Sequence, residues 1–219
     1  MNQRARRIEW LVWGGLVLVI LTLLLAFLLA QLKLGYSWGK PLNVIGQVAP
    51  FTLTNQDGRT VTLADYSGRV WVADIIFTTC PGPCARMSRQ MKDLQAALPQ
   101  TSQARFVSLT TYPEYDTPPV LKAYAQQRFD ADLNRWSFLT GSKKEIAKLA
   151  VESLKLILVE KEPAQREGPN DLFIHSTIFV VVDKHGRLRG TFETTGDDID
   201  PAMVKTQILA AIRRLEHEP

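Results

Sequence analysis

The stretch VWVADIIFTTCPGPCARMSRQMKDLQAAL, residues 70–98, decides the fold. Its first eight residues are an almost unbroken apolar run of strand length, the pattern of a strand covered on both faces. From Ala85 to Leu98 apolar or small side chains recur at helical spacing and stop at Pro99, so a helix is expected there. The chain's two cysteines, Cys80 and Cys84, fall in the turn between that strand and that helix.

Working outward, the same alternation continues. Upstream, FTLT (51–54) and TVTL (60–63) flank Asp57-Gly58 as two period-2 runs, which predicts a β-hairpin. Downstream, Arg105–Leu109 reads as a strand and Pro118–Phe129 as a helix with prolines in its first turn. Trp136–Leu139 reads as a strand, and Ser142–Leu154 as a helix capped by Ser142 with Glu145 at the capping-box position. Ile178–Val182 and Leu188–Phe192, joined through Asp183-Lys-His-Gly186, form a second hairpin, and Asp200-Pro201 opens a last helix to about Glu216. Strands interleaved with helices make the domain α/β, with hairpins at both ends of a parallel centre.

The N-terminus has a different character. From Trp10 to Leu32 the chain carries no charge, and about 23 residues at ~1.5 Å rise span the ~30 Å hydrocarbon core of a bilayer. Arg4, Arg6 and Arg7 precede the run, which by the positive-inside rule places the N-terminus in the cytoplasm and the domain outside. A cleaved signal peptide is the alternative; its apolar core is usually ~7–15 residues and ends in a small-x-small site, which Leu28 before Ala30 does not supply. The expected organisation is a basic segment 1–9, a transmembrane anchor 10–32 with Trp10, Trp13, Tyr36 and Trp38 as interface aromatics, a tether 33–46, and one domain over 47–219. The short basic N-terminus favours a bacterial inner membrane, with the domain in the periplasm or its extracytoplasmic equivalent. Of the formal charge of +4, Arg4, Arg6, Arg7 and Lys33 against Glu9 account for +3, so the domain is nearly neutral and nucleic acid is not an expected partner.

Phosphate loops, HExxH and GxSxG are missing from the sequence, which leaves the cysteine pair as the place for chemistry. A disulfide closing a loop this short is worth only roughly 2 kcal/mol on the chain-entropy model, against ~4.7 for a hundred-residue loop. A helix N-terminus favours thiolate, the nucleophile of disulfide exchange and a soft metal ligand. Placement therefore points to a redox or metal role, with a structural disulfide as the alternative.

IFTTCPGPCARMS (76–88) resembles the FxxxCPxxCPxMS signature of the Sco/SenC family, thioredoxin-fold proteins anchored by one N-terminal helix. Pro113–Phe129 is similar to that family's PERDTPEVLKxYxxxF, WSFLTG (136–141) to its FxxLTG, and IHSTIFVVVDKHGRLRG (174–190) to its DHSxxxxLVDxxGxxxx. The resemblance implies a thioredoxin-like fold, a central mixed sheet flanked by helices with an added N-terminal β-hairpin, and a metal site at Cys80, Cys84 and His175. Two thiolates and an imidazole suit copper, above all Cu(I), with Cu(II) left open; they suit neither hard cations nor a four-ligand structural zinc. His185 in its turn and His217 near the C-terminus read as solvated, and Met87 and Met91 as core. Departures from the pattern are Ala85 for a proline, Ile174 for an acid and Tyr112 where an Asp-Pro pair is common.

The family's role implies delivery of copper to a copper-site subunit of a respiratory oxidase, in cytochrome c oxidase assembly, with other copper chaperones or thiol oxidoreductases as further partners. The alternative is a thiol–disulfide oxidoreductase that keeps a partner's cysteines reduced; CxxxC in place of CxxC counts against it. A peroxiredoxin is disfavoured by Phe77, where that class places a threonine, and a copper-binding redox sensor is a further option. Asp74 shares a strand face with Val70, Val72 and Ile76, where an acid must be hydrogen-bonded or protonated. Six residues before Cys80, it is placed like the buried aspartate of thioredoxins that assists proton transfer; the alternative is an acid at a strand edge with a hydrogen-bonding partner.

Overall fold

A computed structural model describes residues 3–36, 42–168 and 170–219. They fall into two units, an N-terminal helix and a domain from Leu42 to Pro219. Helix α1 (Gln3–Tyr36) runs beyond the uncharged segment at both ends. Its stretch Val12–Leu29 is long and apolar enough to cross a membrane. Of the expected tether 33–46, residues 33–36 continue this helix, and 37–41, with Trp38, lie outside the described residues.

In the domain, strands β1 (Gly46–Gln47), β2 (Thr52–Asn55), β3 (Thr60–Thr62) and β4 (Trp71–Ile76) precede helix α2 (Pro83–Ala97). Strand β5 (Arg105–Thr110), helix α3 (Pro118–Ala123), strand β6 (Trp136–Thr140) and helix α4 (Lys143–Ala147) follow. Then come a short hairpin, β7 (Leu158–Glu160) and β8 (Phe173–His175), the pair β9 (Ile178–Val182) and β10 (Arg187–Glu193), and helix α5 (Pro201–His217). The large sheet has the order β1-β10-β9-β4-β5-β6-β2-β3. Its centre, β4-β5-β6, is parallel, and the two expected hairpins flank it through antiparallel pairings of β9 with β4 and β2 with β6. Gly58 and Gly186 carry the positive φ, 75° and 73°, that their hairpin turns require.

Every residue of β4 is buried, so its period-2 alternation splits it between two cores. Val72 and Ile76 face α2 and α5 with Met87, Met91, Phe106, Trp136 and Ile212; Trp71, Ala73 and Ile75 face α4 and the first hairpin with Leu53, Val61, Leu139 and Leu149. Met87 and Met91 are core, as expected. Asp74 points by parity into the α2 side, in a central strand, which overturns the edge-strand alternative.

Three details depart from the sequence reading. Helix α2 begins at Pro83, two residues early, because Pro83 at N1 needs no N–H partner and Gly82 takes the cap. The expected helices 118–129 and 142–154 each stay α-helical for one or two turns and then widen into π-helix, over Tyr124–Arg128 and Lys148–Ser153. Ser142 does cap its helix, accepting the Glu145 amide at 3.2 Å. Hairpin β7–β8, in a region without a hairpin signal, is new.

Candidate metal centre

The site is built from two arms. The first is the turn from β4 into α2. Phe77 N–H points at Cys84 Sγ (3.4 Å), and the Cys80 amide donates to Phe77 O (3.2 Å), which curls the chain so that Cys80 stands before the helix and Cys84 lies in its first turn. Both are buried, Cys84 to 1% exposure and Cys80 to 7%. Orphan amides at the helix start add positive potential there.

The second arm is the β7–β8 hairpin, with Leu158 opposite His175 and Val159 opposite Ile174. Phe173 anchors it inward, edge-on to Phe77 (5.3 Å) and tilted on Tyr112 (5.8 Å). His175 follows on the same face, with its ring edge-on to Phe77 at 5.8 Å. Its Nε2 lies 3.2 Å from Cys84 Sγ, and its Nδ1 lies 3.2 Å from the Ser176 carbonyl, which only accepts. A proton on Nδ1 satisfies that carbonyl and leaves the Nε2 lone pair facing the thiols, the arrangement usual for a metal-ligating histidine. The ligand atoms of Cys80, Cys84 and His175 all lie within 4.8 Å of one another. His185 and His217 are exposed and belong to no such group among the described residues.

The two thiols are electrostatically unequal. A hydrogen bond from Cys84 lowers the Cys80 thiol, and His175 and the amides of Cys84 and Gly82 add to that effect against burial. Burial pushes the Cys84 thiol up, and the Cys80 charge beside it does the same. Cys80 is thus the more acidic of the two thiols.

Asp74 lies fully buried in the same core. Ser108 Oγ–H donates to its Oδ1 (2.6 Å) and itself accepts from Trp136 Nε1 (3.0 Å), while Oδ2 has no partner among the described residues. Burial pushes its carboxyl up to about 7, against the pull of the Ser108 hydrogen bond. Its own charge raises Cys84 and the Tyr124 hydroxyl, so it is electrically part of the site.

Sequence reasoning missed the residues that hold these side chains in place: Ser108, Phe173 and, above all, Asp116, whose carboxylate accepts the Thr78 amide at 3.1 Å. The only sequence signal for Asp116 was its place in the PEYDTPP stretch.

A family model described as SCO1/SenC matches residues 43–211. A curated relative, the SCO1 protein homolog of Bacillus subtilis (strain 168), is 39% identical over 165 residues, 73% of this chain and 81% of that protein. The structure of BsSco, a member of the Sco family of cytochrome c oxidase assembly proteins in which a disulfide switch is identified, is 30% identical with a TM-score of 0.67, over 82% of this chain and all (100%) of that one. The copper-bound ScoI of Bradyrhizobium japonicum is 22% identical with a TM-score of 0.62, over 77% of this chain and 99% of that one, a likeness of fold. The family model over residues 43–211, the curated relative at 39% identity and the shared thioredoxin-like sheet point one way: the chain belongs to the SCO1/SenC family.

Proposed function

We propose that this chain is a membrane-tethered, extracytoplasmic protein that binds copper at Cys80, Cys84 and His175 and passes it to a copper site of a respiratory oxidase. The observation that carries the reading is the convergence of two sulfurs and one imidazole nitrogen within 4.8 Å in a half-buried site. That donor set is soft and low in number, which matches Cu(I) and leaves room for an acceptor's ligand to enter during exchange. The copper-bound relative and the oxidase-assembly role of BsSco support it. Helix α1 holds the domain at a bacterial inner membrane, with the N-terminus cytoplasmic, so donor and acceptor share one surface at high effective concentration. Asp74 takes up the proton that Cys84 releases when its sulfur binds metal; the unpartnered Oδ2 in the same core supports this role.

A specific observation favours a second reading. A lowered thiol at Cys80 beside a raised one at Cys84 is the asymmetry of an attacking and a resolving cysteine, as in a thiol–disulfide oxidoreductase acting on a partner. One experiment separates the two: the reduced full chain in detergent is titrated with Cu(I) against a chromophoric chelator, beside His175→Ala. The copper reading expects one Cu(I) per chain and a marked loss of affinity in the variant. An unchanged affinity in His175→Ala removes the three-ligand site, and turnover of a model disulfide by both proteins would favour the oxidoreductase.

A further inference from the structure

The two arms meet in one side chain outside the ligand set. Asp116 is fully buried, in the loop between β5 and α3. Its Oδ2 accepts the Thr78 amide (3.1 Å) and the Thr110 hydroxyl (2.5 Å), and its Oδ1 accepts the Thr78 hydroxyl in a still shorter contact. Thr78 stands 38 positions earlier, between Phe77, whose amide points at the Cys84 sulfur, and the turn that ends at Cys80. On its other side, the Asp116 amide donates to Tyr112 O (2.8 Å), and the Tyr112 amide donates to Thr110 Oγ1 (2.9 Å), so the loop closes around the carboxylate. Tyr112 stacks on Tyr115 (5.7 Å) and packs on Phe173, two residues before His175.

Resting on the copper reading of Cys80, Cys84 and His175, we propose that Asp116 is a positioning residue that sets the spacing between the thiol pair and the imidazole. One path runs from its carboxylate through Thr78 to the cysteine turn, the other through Tyr112 and Phe173 to the histidine hairpin. A clamp for the loop alone needs only Thr110 and the Tyr112 carbonyl; both bonds to Thr78 cross to another element. A buried carboxylate is costly, and burial pushes this one's carboxyl up, so its three donors hold it at one place and make it a stiff reference point.

The test uses the full chain in detergent, with Asp116→Asn, Thr78→Val and Thr78→Ser. Amide exchange of the metal-free protein, read by mass spectrometry on peptides covering 77–84 and 173–176, reports the two arms, and competition against bicinchoninate reports Cu(I) affinity. In Asp116→Asn both peptides exchange faster while 187–193 is unchanged, and Cu(I) binding weakens about tenfold, the range of an outer hydrogen-bonding partner. Thr78→Val follows it in part, the double variant is no worse than Asp116→Asn alone, and Thr78→Ser, which keeps the hydroxyl, behaves as wild type. Loosening confined to 77–84, or an unchanged Cu(I) affinity with both peptides loosened, overturns the proposal. A wild-type chain that binds no Cu(I) overturns the copper reading instead, and the metal-free exchange still decides whether Asp116 joins the two arms. Should Asp116→Asn fail to fold, Thr110→Val removes one donor and keeps the carboxylate; both peptides must then loosen together, and independent behaviour overturns the proposal.

Discussion

The cysteine turn and the histidine hairpin bring their sulfur and nitrogen atoms within 4.8 Å of one another, yet they are built on opposite terms. The cysteines sit where a fully buried central strand, paired on both sides, runs into a helix of 15 residues whose apolar face is core. His175 rides on a two-stranded ladder of three residues a side, separate from the main sheet. Ile174 and Val159 on that ladder's outer face are about half exposed, at 52% and 50%. A pair of strands this short is marginal by itself, so it depends on Phe173 packing against Phe77 and Tyr112. Two of the three proposed ligands are therefore placed by a fully buried strand–helix junction and the third by a small appendage, which suits the proposed transfer, where one ligand must let go.

Breaking the rigid arm gives the largest effect. Cys84→Ser removes the buried sulfur that both Phe77 N–H and His175 face, and Cu(I) binding is lost in the chelator competition while the circular dichroism spectrum is unchanged. Retained affinity would show that Cys80 and His175 suffice.

Next comes the charge beneath that arm. The Asp74 carboxyl is raised to about 7, above its unfolded value near 4, so the folded state holds the proton more tightly. Below about pH 4 both states are protonated and the stabilisation is complete; it is lost as pH rises through about 7. Wild type then loses up to about 4 kcal/mol between pH 4 and 8 relative to Asp74→Asn. Urea midpoints of the two proteins across that range check it, and parallel curves would mean that Asp74 does not titrate there.

Breaking the compliant arm at its root is the third case. Phe173→Ala costs about 3 kcal/mol of local packing. Its Cu(I) affinity should fall to that of His175→Ala while the thiols stay reactive toward a disulfide reagent. A smaller drop would mean that the histidine is held by the Cys84 contact alone.

The smallest effect sharpens the contrast. Ile174→Thr keeps a β-branched side chain on the exposed face of the hairpin, and its stability should stay within about 0.5 kcal/mol of wild type by urea unfolding. A large loss would show that this face is covered in the folded protein.

Legibility followed the same division. The apolar run 70–77, the helical spacing after it and the turn signals at Asp57-Gly58 and Asp183-Lys-His-Gly186 are local patterns, and each produced the expected element. Hairpin β7–β8 was invisible because three-residue strands carry no readable period, and the Gly168-Pro169 signal in the 12-residue connection marks a loop without saying which elements it joins. The π-helical widening after α3 and α4 was equally hidden, since one extra residue in a turn is decided by what its side chains pack against, here buried Tyr124, Ala125, Leu149 and Ala150.

By itself the sequence determined that an N-terminal helix with a long uncharged stretch precedes an α/β domain, and that two cysteines stand where a buried strand turns into a helix, because periodicity and capping are written in neighbouring residues. The tertiary structure alone decided that His175 comes within 3.2 Å of a sulfur 91 positions away, that one oxygen of Asp74 has no partner among the described residues, and that Asp116 bonds Thr78 on one side and Tyr112 on the other. Those distances depend on strand order and on which side chains close the gap between elements, and neither is stored in any one stretch of chain.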